Sequence, residues 1–229
     1  MISIAIPVYE MGNYGVNFLQ KSLEFISKQT YSNFEVIISD HSINNTIEEF
    51  IRDSKHKIDI KYFKNHEKIG NSSANINFAL NKCQGEIIKI LFQDEFLYDG
   101  ETLQKIVNSF KSNPEKSWLL TGCLYGENVS KIRGKMNPIY SDKIINGVNT
   151  IGSPSVISIL NKFKLFFDEN IIWLMDCDYY KKCYDTLGEP IIINEPLIFV
   201  SQHDYQLTNI ISSEKKTQEN TYIKNKYKL

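Results

Sequence analysis

The sequence predicts an α/β protein: a mostly parallel central sheet flanked by helices, with a smaller, less regular extension after it. Short apolar runs rich in β-branched residues alternate with segments of helical spacing through the first half of the chain. That alternation implies parallel strands, because right-handed crossovers lay each connecting helix on a sheet face. With 229 residues the chain can also bury a core of its own. Surface scaling leaves roughly 10,700 Å² exposed and removes about 72% of the unfolded area from water.

Each element has a local reason. Ile2–Val8 is an apolar run ended by Pro7 and a turn, hence a buried strand. Residues 17–29 place Phe18, Leu19, Leu23, Phe25 and Ile26 near helical spacing. Residues 34–39 are a second buried strand. Thr46–Asp53 reads as a helix with Asn45 or Thr46 near its N-cap and Glu48 and Glu49 at the positive end of its dipole. Residues 58–63 alternate as a third strand, 71–81 form a helix capped by Asn71 or Ser72, and 86–92 are a fourth strand. Then the pattern loosens. A helix over 102–110 stops at Asn113-Pro114, and 118–124 reads as a strand. Residues 128–150 are polar and read as a long loop, more often functional than idle in a compact domain. A strand over 155–160, a helix over 174–187 ended by Gly188 and Pro190, and a strand over 196–201 complete the pattern. Residues 1–211 therefore read as one domain with halves at 1–98 and 99–211, and 212–229 as a polar, lysine-rich tail.

Composition excludes several classes. Lys and Arg number 26 against 27 Asp and Glu, so no basic field favours nucleic acid. Cys83, Cys123, Cys177 and Cys183 form no CxxC pair and fit no zinc framework; they read as reduced, buried thiols. No stretch approaches the length of a membrane span, and the first residues lack the basic region of a signal peptide. A cytoplasmic protein is the expectation. GxGxxG, P-loop, HExxH and GxSxG patterns are missing, which argues against dinucleotide oxidoreductases, P-loop NTPases, zincins and serine hydrolases.

In open α/β sheets ligands lie at the carboxyl ends of the strands. That rule selects the segments beginning at Pro7, Asp40, Asn65 and Gln93. Asp94 and Glu95 are adjacent carboxylates after an apolar strand, a costly arrangement unless a cation joins them. A Mg²⁺ or Mn²⁺ ion holding a diphosphate is one use, and two solvated loop carboxylates are the commoner one. Asp40 reads equally as a ribose or base acceptor and as a turn former. Asp176 and Asp178 flank Cys177 near a helix start and point to different sides; one is a candidate general base, although two helix-start carboxylates are the plainer reading. His203 is a candidate metal ligand or proton-transfer group, against the more common idle loop histidine. His41, His56 and His66 read as surface residues.

The order of these segments resembles family 2 glycosyltransferases of the GT-A, Rossmann-like fold. The likeness runs through Ile4-Ala5-Ile6-Pro7-Val8-Tyr9, through the segment from Phe34 to Ser42, and through the segment from Asn65 to Asn77. It continues through the segment from Gly85 to Phe96, Ile151-Gly152-Ser153-Pro154-Ser155 and Trp173-Leu174-Met175-Asp176. The resemblance implies an inverting enzyme that moves a sugar from a nucleotide-diphosphate donor, UDP-linked by preference, to a glycan or lipid-linked acceptor. It also implies a setting in bacterial surface polysaccharide or lipooligosaccharide synthesis. It points to Pro7, Val8, Tyr9, Glu10, Asp40, Lys68, Gly70, Asn75, Gln93 and Asp94 as donor contacts. Asp94, Glu95 and His203 would bind Mn²⁺ or Mg²⁺, Ser153, Pro154 and Ser155 would lie on the acceptor side, and Asp176 would be the catalytic base. The chain departs from the family pattern in Gln93-Asp94-Glu95, where three aspartates are usual, and in Met175, where the acidic pair begins. The loop over 128–150 is expected to close over the donor as an acceptor-side lid. The tail over 212–229 is expected to touch an anionic membrane surface or, more commonly for such a terminus, to be solvated and disordered. Two rivals stand beside the enzyme: a nucleotide-sugar-binding module without turnover, and a sugar nucleotidyltransferase. The latter is disfavoured because no Lys or Arg follows the first strand in Val8-Tyr9-Glu10-Met11-Gly12.

Overall fold

The computed structural model describes residues 1–54 and 58–228. His56 lies outside the described residues. The apolar run Ile2–Val8 forms β1, all seven residues buried, because both faces of a central parallel strand are covered. It pairs in parallel with β2 (Phe34–Asp40) on one side and with β4 (Ile87–Ile90) on the other, and β2 pairs in parallel with β3 (Ile60–Lys64). Pro7 is tolerated in this central strand for a positional reason. The Ala5 carbonyl accepts from Leu91 N–H on the β4 side and the Val8 carbonyl from His41 N–H on the β2 side. Pro7 therefore faces the β4 side, beyond the last pairing of Ala5 with Ile90, where no ladder bond is lost.

The crossovers are α1 (Gly15–Ser27), α2 (Thr46–Asp53) and α3 (Ser72–Lys82). Leu19, Leu23 and Ile26 give α1 its buried stripe. Asn71 caps α3 by accepting from Ala74 N–H. At α2 the side chain bonding the first turn is that of Asn44, which accepts from Thr46 N–H.

The second half widens the sheet with mixed pairing. Its strands are β5 (Glu95–Leu97), β6 (Trp118–Asn128), β7 (Lys131–Met136), β8 (Ile157–Leu160) and β9 (Ile191–Ser201). The order across the sheet is β3-β2-β1-β4-β8-β6-β9-β5, with β7 on β6. Helices α4 (Thr102–Ser112) and α5 (Met175–Leu187), the short α6 (Leu207–Ile210) and α7 (Ser213–Tyr227) complete it. The exposed surface is 10700 Å², the value expected of a globular chain of this size. All four cysteines are free and buried. No helix among the described residues is long and apolar enough to cross a membrane.

Three expectations are corrected. The loop over 128–150 is half regular: β6 runs on to Asn128 and turns into β7, and a 3₁₀ turn spans Asp142–Asn146. Glu95 is not in a loop but on β5, paired with Val200 of β9. The tail is not solvated coil. Its described part is α7, capped by Ser212 and docked through the buried Glu219 and Ile223. That packing commits Lys226 to Asp168 and Asp178, so it is no longer a free surface cation.

Candidate active site

The carboxyl ends of β1, β2 and β4 converge on a cavity of about 350 Å³. Of the residues singled out from sequence, Pro7, Tyr9, Glu10, Gly70, Asn75, Gln93 and Asp94 line it. The wall is completed by residues the sequence reading did not single out for the site, among them Ile43, Ile69, Leu207 and Ile210. His41 also lines it and is buried, not a surface residue. Its Nε2 lies 2.9 Å from Asn65 Nδ2. Burial holds its pKa below the ordinary imidazole value, against the opposing pull of the Glu67 backbone and Asp40.

Two buried amides shape this end of the sheet. Gln93 accepts from Tyr9 N–H at 2.9 Å and donates to the Tyr9 and Gly15 carbonyls at 3.0 and 2.7 Å. The turn after β1 is thereby fastened to the end of β4. The fit leaves no room for a side chain at Gly15, where a Cβ would meet the Tyr9 carbonyl oxygen at 2.3 Å. Asn75 donates to the Val8 carbonyl at 3.0 Å and accepts from Ser39 Oγ at 2.6 Å. Val8 itself contributes only a buried side chain and this carbonyl.

Three expected donor or metal groups are placed elsewhere. Asp40 is fully buried and takes no part in the cavity wall. Its carboxylate accepts from Ser42 N–H at 2.8 Å, Tyr62 OH at 2.7 Å and Lys64 Nζ at 3.2 Å, so both oxygens are used by the fold. Lys68 projects outward to Glu169 at 2.5 Å and does not line the cavity. Glu95 turns inward, where Ser153 Oγ donates to its Oε2. Burial pushes its pKa up to about 8; Asp94 adds to the rise, and Ser153, Ser155 and Lys89 oppose it.

Asp94 and His203 do meet. Nε2 of His203 is 2.8 Å from Asp94 Oδ2; a carboxylate accepts, so Nε2 carries the proton. The ring stacks on Phe18 with centroids 4.4 Å apart, and its Nδ1 is buried with no hydrogen-bond partner among the described residues. Among the described residues no group of three His, Cys, Asp or Glu side chains is placed to hold a metal ion. Of the expected metal ligands, Asp94 and His203 are thus hydrogen-bonded to one another, while Glu95 is turned to Ser153.

Asp176 and Asp178 separate cleanly. Asp178 is buried, and its Oδ1 accepts from Lys226 Nζ at 2.6 Å and Tyr227 OH at 2.8 Å. Asp176, in the first turn of α5, stays partly accessible. Its Oδ1 accepts from Cys177 N–H at 2.7 Å and its Oδ2 from Asn149 Nδ2 at 2.6 Å. Burial raises its pKa, against these hydrogen bonds. A carboxylate held in one orientation with a raised pKa suits a general base. Met175, where an acidic neighbour is usual, is buried, and Ser72 Oγ donates to its sulfur at 3.2 Å. Pro154 is buried at the start of a 3₁₀ turn, and Ser155 Oγ accepts from Phe92 N–H at 2.8 Å. Asn149 bonds locally to Ile151 and Gly152, as a turn asparagine would, but its partner in the site is 27 residues away, and those of Glu219 are 45 to 47 residues away, so the sequence carried no local signal for either role.

The family model described as glycosyl transferase family 2 matches residues 3–182. The chain belongs to this family. An uncharacterized glycosyltransferase of Rickettsia bellii is 28% identical over 184 residues, 77% of this chain and 25% of that protein. Another, from Rickettsia typhi, is 25% identical over 224 residues, 91% of this chain and 66% of its own. The chain thus spans from a quarter to two thirds of the length of these relatives. Among solved structures, S. aureus TarS 1-349 in complex with UDP-GlcNAc superposes with a TM-score of 0.74 at 18% identity, covering 97% of this chain and 65% of that one. The mannosyltransferase PcManGT of Pyrobaculum calidifontis, in complex with GDP-Man and Mn²⁺, gives 0.61 at 16% identity, covering 88% and 56%. At these identities the likeness is one of fold, and the fold is that of GT-A glycosyltransferases.

Proposed function

We propose that this family 2 glycosyltransferase is an inverting enzyme that binds a nucleotide-diphosphate sugar, UDP-linked by preference, in the cavity at the strand ends. The acceptor is a hydroxyl of a glycan or lipid-linked glycan, in bacterial surface polysaccharide or lipooligosaccharide synthesis at the cytoplasmic side of the membrane. The observation that carries the reading is the pairing of that cavity, with Asp94 in its wall, with a separately oriented and partly accessible Asp176. Neighbouring folds with UDP-GlcNAc and with GDP-Man support a nucleotide-sugar donor.

A divalent ion would be held by Asp94, which lines the cavity. One hard carboxylate together with the donor's phosphate oxygens is a sufficient set for Mg²⁺ or Mn²⁺. Such an ion would offset charge on the departing diphosphate. The chain's own groups do the rest. Gln93 and Asn75 hold the turn and strand end that shape the cavity, and His203 orients Asp94. Asp176 takes the proton from the acceptor hydroxyl as that oxygen bonds to the anomeric carbon. The bond from that carbon to the diphosphate oxygen breaks, and the nucleoside diphosphate leaves with the electron pair. A single displacement inverts the anomeric configuration.

Calorimetric titration with UDP, GDP, CDP and dTDP, with and without Mn²⁺, tests the reading. One nucleotide should bind with metal dependence, and Asp94→Ala should lose that dependence. Asp176→Asn should bind the donor normally while transfer falls by about 10² to 10⁴. A runner-up, a binding module without turnover, draws on the burial of Glu95 against Ser153. Binding with neither transfer nor donor hydrolysis would establish it. Contact with an anionic membrane would fall to the α7 lysines left free of Asp168 and Asp178, and sedimentation with anionic vesicles reads it.

A further inference from the structure

We propose that residues 149–157 form a strap that fixes the orientation of Asp176 relative to the donor-side strand ends, and that Glu95 is a positioning residue anchoring this strap. The inference rests on the reading of Asp176 as the base.

The donor side holds the strap at four points. Ser153 Oγ donates to Glu95, Phe92 N–H donates to Ser155 Oγ at 2.8 Å, and Lys89 Nζ donates to the Ser155 carbonyl and, at 3.3 Å, to that of Ile157. Lys89, Glu95 and Ser155 are buried, so these bonds have little water to compete with them. The other end of the strap grips α5. Asn149 Oδ1 accepts from Ile151 and Gly152 N–H at 2.9 and 3.0 Å, and Nδ2 donates to the Gly152 carbonyl at 2.8 Å and to Asp176 Oδ2 at 2.6 Å. Both amide hydrogens are therefore used, and Asn149 has one orientation only. The Tyr180 hydroxyl, one turn along α5 from Asp176, lies 2.9 Å from both the Gly152 and Ser153 carbonyls. A continuous set of bonds thus runs from Glu95 through Ser153 and the 149–152 turn to the Asp176 carboxylate. Glu95 stands one residue from Asp94, so the backbone that carries Asp94 and the strap that holds Asp176 meet at the start of β5.

The test compares wild type with Ser153→Ala, Glu95→Ala and Glu95→Gln, the last retaining an oxygen acceptor for Ser153. Amide exchange at Ile151, Gly152 and Cys177, Mn²⁺-dependent UDP titration, and turnover are read together. Ser153→Ala and Glu95→Ala should each speed exchange at all three amides about tenfold or more. They should lower kcat by about tenfold to a hundredfold, with UDP affinity unchanged, and Glu95→Gln should restore most of both. Unchanged exchange at Cys177 in Ser153→Ala would overturn the strap, and that variant loses only a hydroxyl, so it folds even if Glu95→Ala does not. Loss of Mn²⁺-dependent UDP affinity in Glu95→Gln would make Glu95 a metal ligand and remove the positioning role. A wild type that binds no nucleotide, with exchange altered as expected in the variants, would remove the functional reading and leave the strap standing.

Discussion

Glu219→Ala probes how the C-terminal helix supports the site. Glu219 is 1% exposed on α7. Its Oε1 accepts from Ile172 N–H at 2.9 Å, and its Oε2 accepts from Trp173 and Leu174 N–H at 2.9 and 3.0 Å. These amides lead directly into α5, where helix geometry leaves N–H groups without an internal partner. Truncation strands three donors at once. At about 1 kcal/mol each, the low end for a buried unsatisfied group because water enters the vacated space, the loss is about 3 kcal/mol. For a domain of this size that corresponds to a fall in Tm of roughly 6–12 °C. Glu219→Gln can keep its oxygen on the Trp173 and Leu174 donors but turns an NH₂ toward that of Ile172, so it should recover only part of the loss. Thermal melts and urea unfolding at constant m-value read the loss, and trypsin cleavage after Lys215 or Lys216 reads local undocking of α7. A loss under about 1 kcal/mol with unchanged cleavage would refute the claim that this carboxylate organises the approach to α5.

Further outcomes follow from other contacts. Gln93→Ala removes the partner of the Tyr9 N–H and of the Tyr9 and Gly15 carbonyls; nucleotide affinity should fall about tenfold, and unchanged calorimetric affinity would show that the turn holds itself. The raised pKa of Asp176 places the acid limb of kcat above the pH expected of an ordinary aspartate; a limb at the usual position would remove Asp176 from the base role. At Asp168, burial alone would raise the pKa, but Lys226, the Asn170 backbone and Tyr222 together hold it well below the usual carboxylate range. With the folded pKa below the unfolded one, the unfolded state binds more protons between the two, so the stabilisation is present above pH of about 4 and is lost as pH falls through the folded value. Asp168→Asn should therefore cost more at pH 7 than at acidic pH in urea unfolding, and an equal cost at both would contradict the linkage.

Short-range chemistry determined a good part of this protein from sequence. The β-branched runs became β1 to β4, and the helical stripes became α1, α3 and α5, because periodicity and burial act over a few residues. The parallel half of the sheet follows from their alternation, and the location of a cavity at the strand ends follows from that. The same adjacency misplaced individual side chains. Asp94 and Glu95 are neighbours in sequence, yet Asp94 lies in the turn before β5 and reaches the cavity wall, whereas Glu95 opens β5 and is buried on Ser153. Asp40 looked available until Tyr62 and Lys64 of β3 closed over it. Asp178 was separated from Asp176 by Lys226 and Tyr227, which approach from a helix that reads as a polar tail. Those decisions rest on partners tens of residues away, brought within hydrogen-bond reach only when the sheet and its covering helices assemble. No local propensity encodes which carboxylate is then paired, buried or left to do chemistry.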